Sequence, residues 1–231
     1  MSAPLGKTAV TEPDVRVWDP LLRLCHWSFA LLIPAMWWTA ENSAWGWHRR
    51  LGLVLLGILV FRVLWGFVGP QTARFASFVK GPGTVIAYLR GQMADAATRI
   101  GHSPLAGWST LALIGAMLLQ VGMGLFSGDP YDGMTGPLNP LVGVMTADML
   151  TDWHETFFNV VLGLICLHLA AIVFYASVKR EDLVTPMVSG DRPPMQGVTG
   201  IGPVPWLRAG LAIMLAAGFA IWIAAGVPPL G

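Results

Sequence analysis

Charged residues are scarce in this chain of 231 residues: Asp, Glu, Lys and Arg make up 12%, whereas hydrophobic residues make up 55%. So few charges cannot cover the surface of a water-soluble domain of this length. The net charge is only +1, and no basic run interleaved with aromatic residues indicates a nucleic-acid surface. The composition therefore predicts a protein that lies in the lipid bilayer and has no nucleic-acid partner.

Cysteine is almost absent as well. Cys25 and Cys166 each lie in an apolar stretch, and the chain has no CxxC motif. This pattern excludes a disulfide framework and a thiolate metal site, so both cysteines are interpreted as packing residues.

Long apolar stretches are what the chain has instead. Five of them are each close to the roughly 20 residues that a helix needs to cross a bilayer. Helices are expected because lipid offers no partner to an unpaired backbone amide. The five segments are 21–40, 51–68, 105–126, 156–178 and 209–227. The sequence therefore predicts an all-α integral membrane protein, with a four-helix transmembrane bundle and a fifth transmembrane helix.

The basic residues predict an orientation in the membrane. Eleven of the 14 Lys and Arg residues lie in the N-terminal stretch up to Arg23 or in the connections 69–104 and 179–208. Arg49 and Arg50 are the only basic residues in the remaining connections. Because basic loops tend to stay in the cytoplasm, the N-terminus is predicted to be inside and the C-terminus outside.

Two connections have patterns of their own. Apolar residues recur at helical spacing within 82–99, which predicts a helix along the membrane surface. The connection 127–153 is rich in Gly, Pro and Asp and is predicted to be a loop, with at most a short helix.

Four of the five histidines lie at or within the apolar segments, where ionisable groups are functional candidates. His154 and His168 are fourteen residues apart, which is close to four helical turns, so they share a helix face and lie about 21 Å apart along it. By the predicted orientation His26 lies at the level of His168, and His48 at the level of His154. A single histidine of this kind is explained equally well as a packing residue, but the joint arrangement predicts two bis-histidine haems stacked across a bundle.

Two arginines are candidate partners for haem propionates. Arg62 follows His48 by fourteen residues and so faces the bundle at the inner level. Its alternative role is to extend its side chain to the cytoplasmic interface. Arg23, three residues before His26, is a weaker candidate of the same kind.

Several stretches of the chain resemble the bacterial cytochrome b561 and nickel-iron hydrogenase b-type cytochrome family. They are 17–27 (VWDPLLRLCHW), 48–52 (HRRLG), 61–82 (FRVLWGFVGPQTARFASFVKGP), 101–105 (GHSPL) and 153–168 with its two histidines. The resemblance extends over residues 15–190, which predicts a di-haem domain at 1–190 followed by a linker and an additional helix at 191–231.

The resemblance implies two haem b groups, with His26 and His168 as axial ligands of one iron and His48 and His154 as ligands of the other. It also implies a place in the bacterial inner membrane and electron transfer between the quinone pool and a periplasmic partner. That partner is a hydrogenase, a c-type cytochrome or another oxidoreductase. His102 belongs to the GHSP turn and is expected to make a structural hydrogen bond rather than to bind iron.

Two other functions compete with electron transfer. A membrane anchor for a catalytic subunit would need no haem of its own, and the last span, whose Ala residues at 212, 216, 220 and 224 form a small-residue stripe, suits packing on the core or on a partner. A histidine-based proton-coupled transporter is disfavoured because the apolar segments contain no Asp or Glu. Whether the chain is the quinone-reacting subunit of an enzyme or only a relay stays open.

The predicted outer connections carry more acid than base. These connections contain two basic residues, Arg49 and Arg50, and six acidic ones: Glu41, Asp129, Asp132, Asp148, Asp152 and Glu155. Such a surface is expected to attract a basic redox partner, although an ordinary solvated loop explains it equally well.

Overall fold

The computed structural model describes residues 14–92, 101–129, 134–194 and 200–227, and helices dominate it. The helices are α1 (Pro20–Glu41), α2 (Trp45–Val68), α3 (Phe75–Phe78), α4 (Pro82–Leu89), α5 (Pro104–Phe126), α6 (Val144–Phe174), α7 (Val184–Ser189) and α8 (Trp206–Ala224). Two short antiparallel ladders join β1 (Val15–Arg16) to β4 (Asp191–Arg192) and β2 (Gly128–Asp129) to β3 (Met134–Thr135).

Each of the five predicted apolar segments lies in a long helix, α6 being continued by a π-helical turn, although the last segment extends three residues beyond the end of α8 at Ala224. This confirms the all-helical architecture. Among the described residues, four helices are long and apolar enough to cross a membrane: α2, α5, α8, and α6 together with the π-helical turn that extends it to Lys179. Helix α1 is not among them, since Arg23, His26 and several tryptophans lower its hydropathy. A membrane crossing by α1 therefore stays a prediction.

Helix α6 is much longer than its apolar segment. It begins at Val144 rather than near residue 156, so the prediction of a loop through residue 153 was wrong. The 36 residues of α6 and its π-turn extend over about 54 Å, well beyond a hydrocarbon core of about 30 Å. The apolar-run criterion detects only the part of a helix that lies in lipid, which is why it missed the polar first turns.

Helix α2 lies at the centre of the bundle. It packs against α1, α5 and α8, while α5 also packs along α6. Ala209, Ala212 and Ala216 of α8 are buried in a cluster with Phe61 and Trp65 of α2. The small-residue stripe therefore packs on the core of its own chain, which is one of the two arrangements expected for it.

The first turn of α1 is fixed by a buried carboxylate. Oδ1 of Asp19 accepts hydrogen bonds from the backbone amides of Leu21 and Leu22 and from Nε1 of Trp65, at 3.0, 3.0 and 3.2 Å. Asp19 and Trp65 are both 0% exposed. One carboxylate therefore caps α1 and joins it to α2 at the end of the bundle that carries His26.

A helix is present between α2 and α5, as expected, in the form of α4, and its position along the membrane surface stays a prediction. The remainder of that prediction, from residue 93 onward, lies outside the described residues.

Replacing Asp19 by Ala is expected to lower the free energy of unfolding by roughly 2–4 kcal/mol, because it removes a helix cap and leaves the buried Trp65 N–H unpaired. Unfolding in mixed micelles followed by circular dichroism measures this. Asp182→Ala is the matched control, since the exposed Asp182 caps α7 through the amides of Val184 and Thr185 but has no side-chain partner on another long helix. Equal losses in the two variants would contradict a joining role for Asp19.

Candidate cofactor site

The four histidines of the long helices lie in two pairs. The ring centres of His26 on α1 and His168 on α6 are 6.3 Å apart. Those of His48 on α2 and His154 on α6 are 6.1 Å apart. The structure thus brings together the same histidines that helical spacing paired from the sequence.

The two pairs lie at different levels of the bundle. His154 and His168 are fourteen residues apart on one continuous helix, so the levels are separated by about 21 Å. Val161 is midway between them and is buried in an apolar cluster with Leu55 and Leu59 of α2. A layer of aliphatic side chains therefore separates the two histidine pairs.

Backbone carbonyls orient both rings of the His48–His154 pair. Nδ1 of His48 donates to the carbonyl of Met36 at 3.0 Å, and Nδ1 of His154 donates to the carbonyl of Gln120 at 2.9 Å. A carbonyl only accepts, so each Nδ1 carries the proton and each Nε2 keeps a free lone pair. Metal-bound histidines are usually oriented by such a bond from the second nitrogen.

Helix α5 approaches the His154 ring closely at Gly124. A Cβ built on Gly124 would lie 2.8 Å from Cε1 of His154, so any larger residue there would force the ring to shift. Sequence reasoning missed both Gly124 and the Gln120 carbonyl. Gly124 follows Gln120 by one helical turn, but a backbone acceptor carries no sequence signal.

At the other level, the His26–His168 pair is less restrained. The His26 ring contacts Trp27 edge-on at 5.2 Å between centres. Its Nδ1 is buried without a hydrogen-bond partner in the part of the chain that the structure describes.

The separation of the rings suits a shared metal atom. The metal–nitrogen bond is about 2.0 Å long, and the nitrogen lies about 1.1 Å from the centre of its ring. Two imidazoles on opposite sides of one metal atom therefore have ring centres about 6.2 Å apart. Within the described ranges no group of three or more His, Cys, Asp and Glu residues could hold a free ion. Two histidines alone therefore fit a metal that arrives with its own in-plane ligands, as haem iron does.

Arg62, a predicted propionate partner, is only 3% exposed. Its guanidinium donates to the carbonyl of Ala73 at 3.4 Å and lies 5.2 Å from the centre of the Phe75 ring. The guanidinium thus reaches the connection that follows α2, and both a propionate partner and a side chain that extends to the interface stay predictions for Arg62. The Arg23 guanidinium donates instead to the carbonyl of Val188, which ties α1 to α7.

His102 lies between two aromatic rings. Its centre is 4.9 Å from Trp18 and 4.4 Å from Phe78, and its Nδ1 is buried without a partner among the described residues. Nδ1 of His102 therefore does not make the expected structural hydrogen bond to any described residue. Burial, followed by the charges of Arg62 and His168, lowers the pKa of His102 to about 3, so the ring is neutral at physiological pH.

Comparison with known proteins agrees with this geometry. A sequence model of the prokaryotic cytochrome b561 family matches residues 17–190. The chain is 24% identical over 221 residues to a probable Ni/Fe-hydrogenase B-type cytochrome subunit of Bradyrhizobium diazoefficiens, covering 81% of this chain and 89% of that protein. No solved structure matches the chain. The chain belongs to the prokaryotic cytochrome b561 family and is a membrane b-type cytochrome that transfers electrons.

Proposed function

We propose that the protein is a di-haem cytochrome in which His26 and His168 are the axial ligands of one haem b, and His48 and His154 those of the other. The observation that carries this proposal is the pair of ring separations, 6.3 and 6.1 Å, at two levels of one bundle. A bound haem supplies a one-electron couple at each level. Because both axial positions are taken by histidine, the chain leaves no open coordination site for oxygen or substrate.

The surroundings of the pairs suit electron transfer. The aliphatic layer around Val161 fills the space between the levels with buried apolar side chains. The carbonyl-bound Nδ1 atoms of His48 and His154 keep those rings in one orientation. A ring that keeps its orientation when the iron changes oxidation state lowers the reorganisation energy of electron transfer.

The excess of basic residues supports an orientation in the inner membrane with the His26–His168 level toward the cytoplasm and the His48–His154 level toward the outside. We infer that electrons pass between membrane quinone and a redox protein on the outer side, such as a hydrogenase or a c-type cytochrome. The relative in Bradyrhizobium is named as a hydrogenase cytochrome subunit, which supports a partner of that class.

The first turns of α6 form the exposed surface beside the His48–His154 pair. Asp148, Asp152 and Glu155 are all exposed there, within six residues of His154. Three carboxylates at this density attract a cationic protein over a distance of about 8 Å at physiological salt. This acidic surface supports the proposal that a basic redox protein docks close to the outer haem.

Haem content tests the ligand pairs. The purified protein is expected to show two b haems per chain by pyridine haemochrome, and His168→Ala and His154→Ala are each expected to remove a different one from the reduced-minus-oxidised spectrum. Asn159→Ala, at an exposed position between them on α6, is the control and should keep both. A wild-type protein without haem would leave the membrane-anchor function as the explanation.

Quinol oxidation tests the proposed donor or acceptor in the membrane. In membrane vesicles, menaquinol or ubiquinol is expected to reduce the haems, as followed by absorbance. If no quinol analogue reduces either haem while dithionite reduces both, the quinone role is wrong.

Salt dependence tests the acidic surface. Changing Asp148 and Asp152 to Asn and Glu155 to Gln together should slow electron exchange with a cationic c-type cytochrome about tenfold at low ionic strength and flatten its dependence on salt. Asp182→Asn, exposed at the opposite end of α6, serves as the control. An exchange rate that never depended on salt would contradict the proposal.

A further inference from the structure

Buried polar atoms without partners gather at one end of the bundle. The described residues contain six such side-chain atoms, and five of them surround the His26–His168 level. The five are Asp19 Oδ2, Arg23 Nε, His26 Nδ1, Thr72 Oγ1 and His102 Nδ1. Proteins leave few buried polar groups unpaired, so this concentration indicates a polar ligand at that end.

Arg62 is the charged member of this region. A guanidinium has five N–H donors, yet the hydrogen bond found for Arg62 is a single one of 3.4 Å to a carbonyl, and no carboxylate of the described residues lies within ion-pair distance. A buried cation without an anion is strongly unfavourable. Asp19 is near enough to act on Arg62 electrostatically but makes no direct ion pair with it, so the guanidinium lacks a carboxylate in contact with it.

Two neutral donors lie beside Arg62. Thr72, which is 4% exposed, adjoins Ala73, whose carbonyl binds Arg62. A Cβ built on Gly101 would lie 3.3 Å from Cγ2 of Thr72, so Thr72 lies against the turn that carries His102. Trp18 and Phe78 hold the His102 ring in place.

The depth of these donors matches one histidine pair. Arg62 follows His48 by fourteen residues on α2, and His168 follows His154 by fourteen on α6. Both steps are about 21 Å, so Arg62 lies near the level of the His26–His168 pair.

We propose that Arg62, Thr72 and His102 together bind a propionate carboxylate of the haem held by His26 and His168. The inference rests on the proposed function. A carboxylate accepts about four hydrogen bonds and pairs with the fork of an arginine, so it matches two neutral donors and one cation. A quinone carbonyl also accepts hydrogen bonds, but it is neutral and gives the Arg62 guanidinium no carboxylate to pair with directly.

Infrared spectroscopy tests the pocket directly. Redox difference spectra recorded with haem carrying ¹³C-labelled propionates identify the carboxylate bands. Thr72→Val and His102→Phe are each expected to shift one labelled band and to lower the midpoint potential of the His26–His168 haem, because a carboxylate with fewer donors is more negative and stabilises ferric iron. Thr72→Ser, which keeps the hydroxyl, should restore both values.

Thr110→Val is the matched control, because its hydroxyl already donates to the carbonyl of Ala106 at 2.9 Å. Labelled bands and potentials that stay at wild-type values in Thr72→Val and His102→Phe would overturn the pocket, and Arg62 would then be balanced by Asp19 through water. Variants that slow only reduction by quinol would also overturn it, in favour of a quinol site. Absence of haem from the wild-type protein would instead overturn the proposed function itself.

Discussion

The fourteen-residue interval between His154 and His168 on α6 is the constraint on which the rest of the bundle depends. It places two imidazoles on one helix face at depths about 21 Å apart, and each then needs a partner from another helix at its own depth. Helix α1 supplies His26 at one level, and α2 supplies His48 at the other. Since α1 and α2 run in opposite directions, a histidine near the start of each is enough to meet both levels.

Helix α5 contributes no histidine, yet its backbone fixes which nitrogen of the His154 ring carries the proton. Its Gln120 carbonyl accepts the Nδ1 proton, and Gly124 allows the backbone to come close to the ring. The Met36 carbonyl does the same for His48 from α1. Both rings are thus oriented by backbone carbonyls rather than by a buried carboxylate, which would be costly in lipid.

The two ends of the bundle differ in polarity. At the His48–His154 level, Nδ1 of each ring is paired with a backbone carbonyl. The His26–His168 level is surrounded by Asp19, Arg62, Thr72 and His102, several of which have polar atoms left unpaired. This contrast places the polar binding chemistry at one end of the bundle and the exposed acidic turns of α6 at the other.

The sequence by itself determined the long helices and which histidines face each other, because the length of an apolar run and the angle between residues on a helix follow from local geometry alone. It did not reveal the start of α6 at Val144, since the polar first turns fall outside any apolar run. Only the tertiary structure showed the Gln120 and Met36 carbonyls, the close approach at Gly124 and the burial of Arg62. These depend on distances between helices, and backbone acceptors and interhelical spacing leave no trace in the order of residues along the chain.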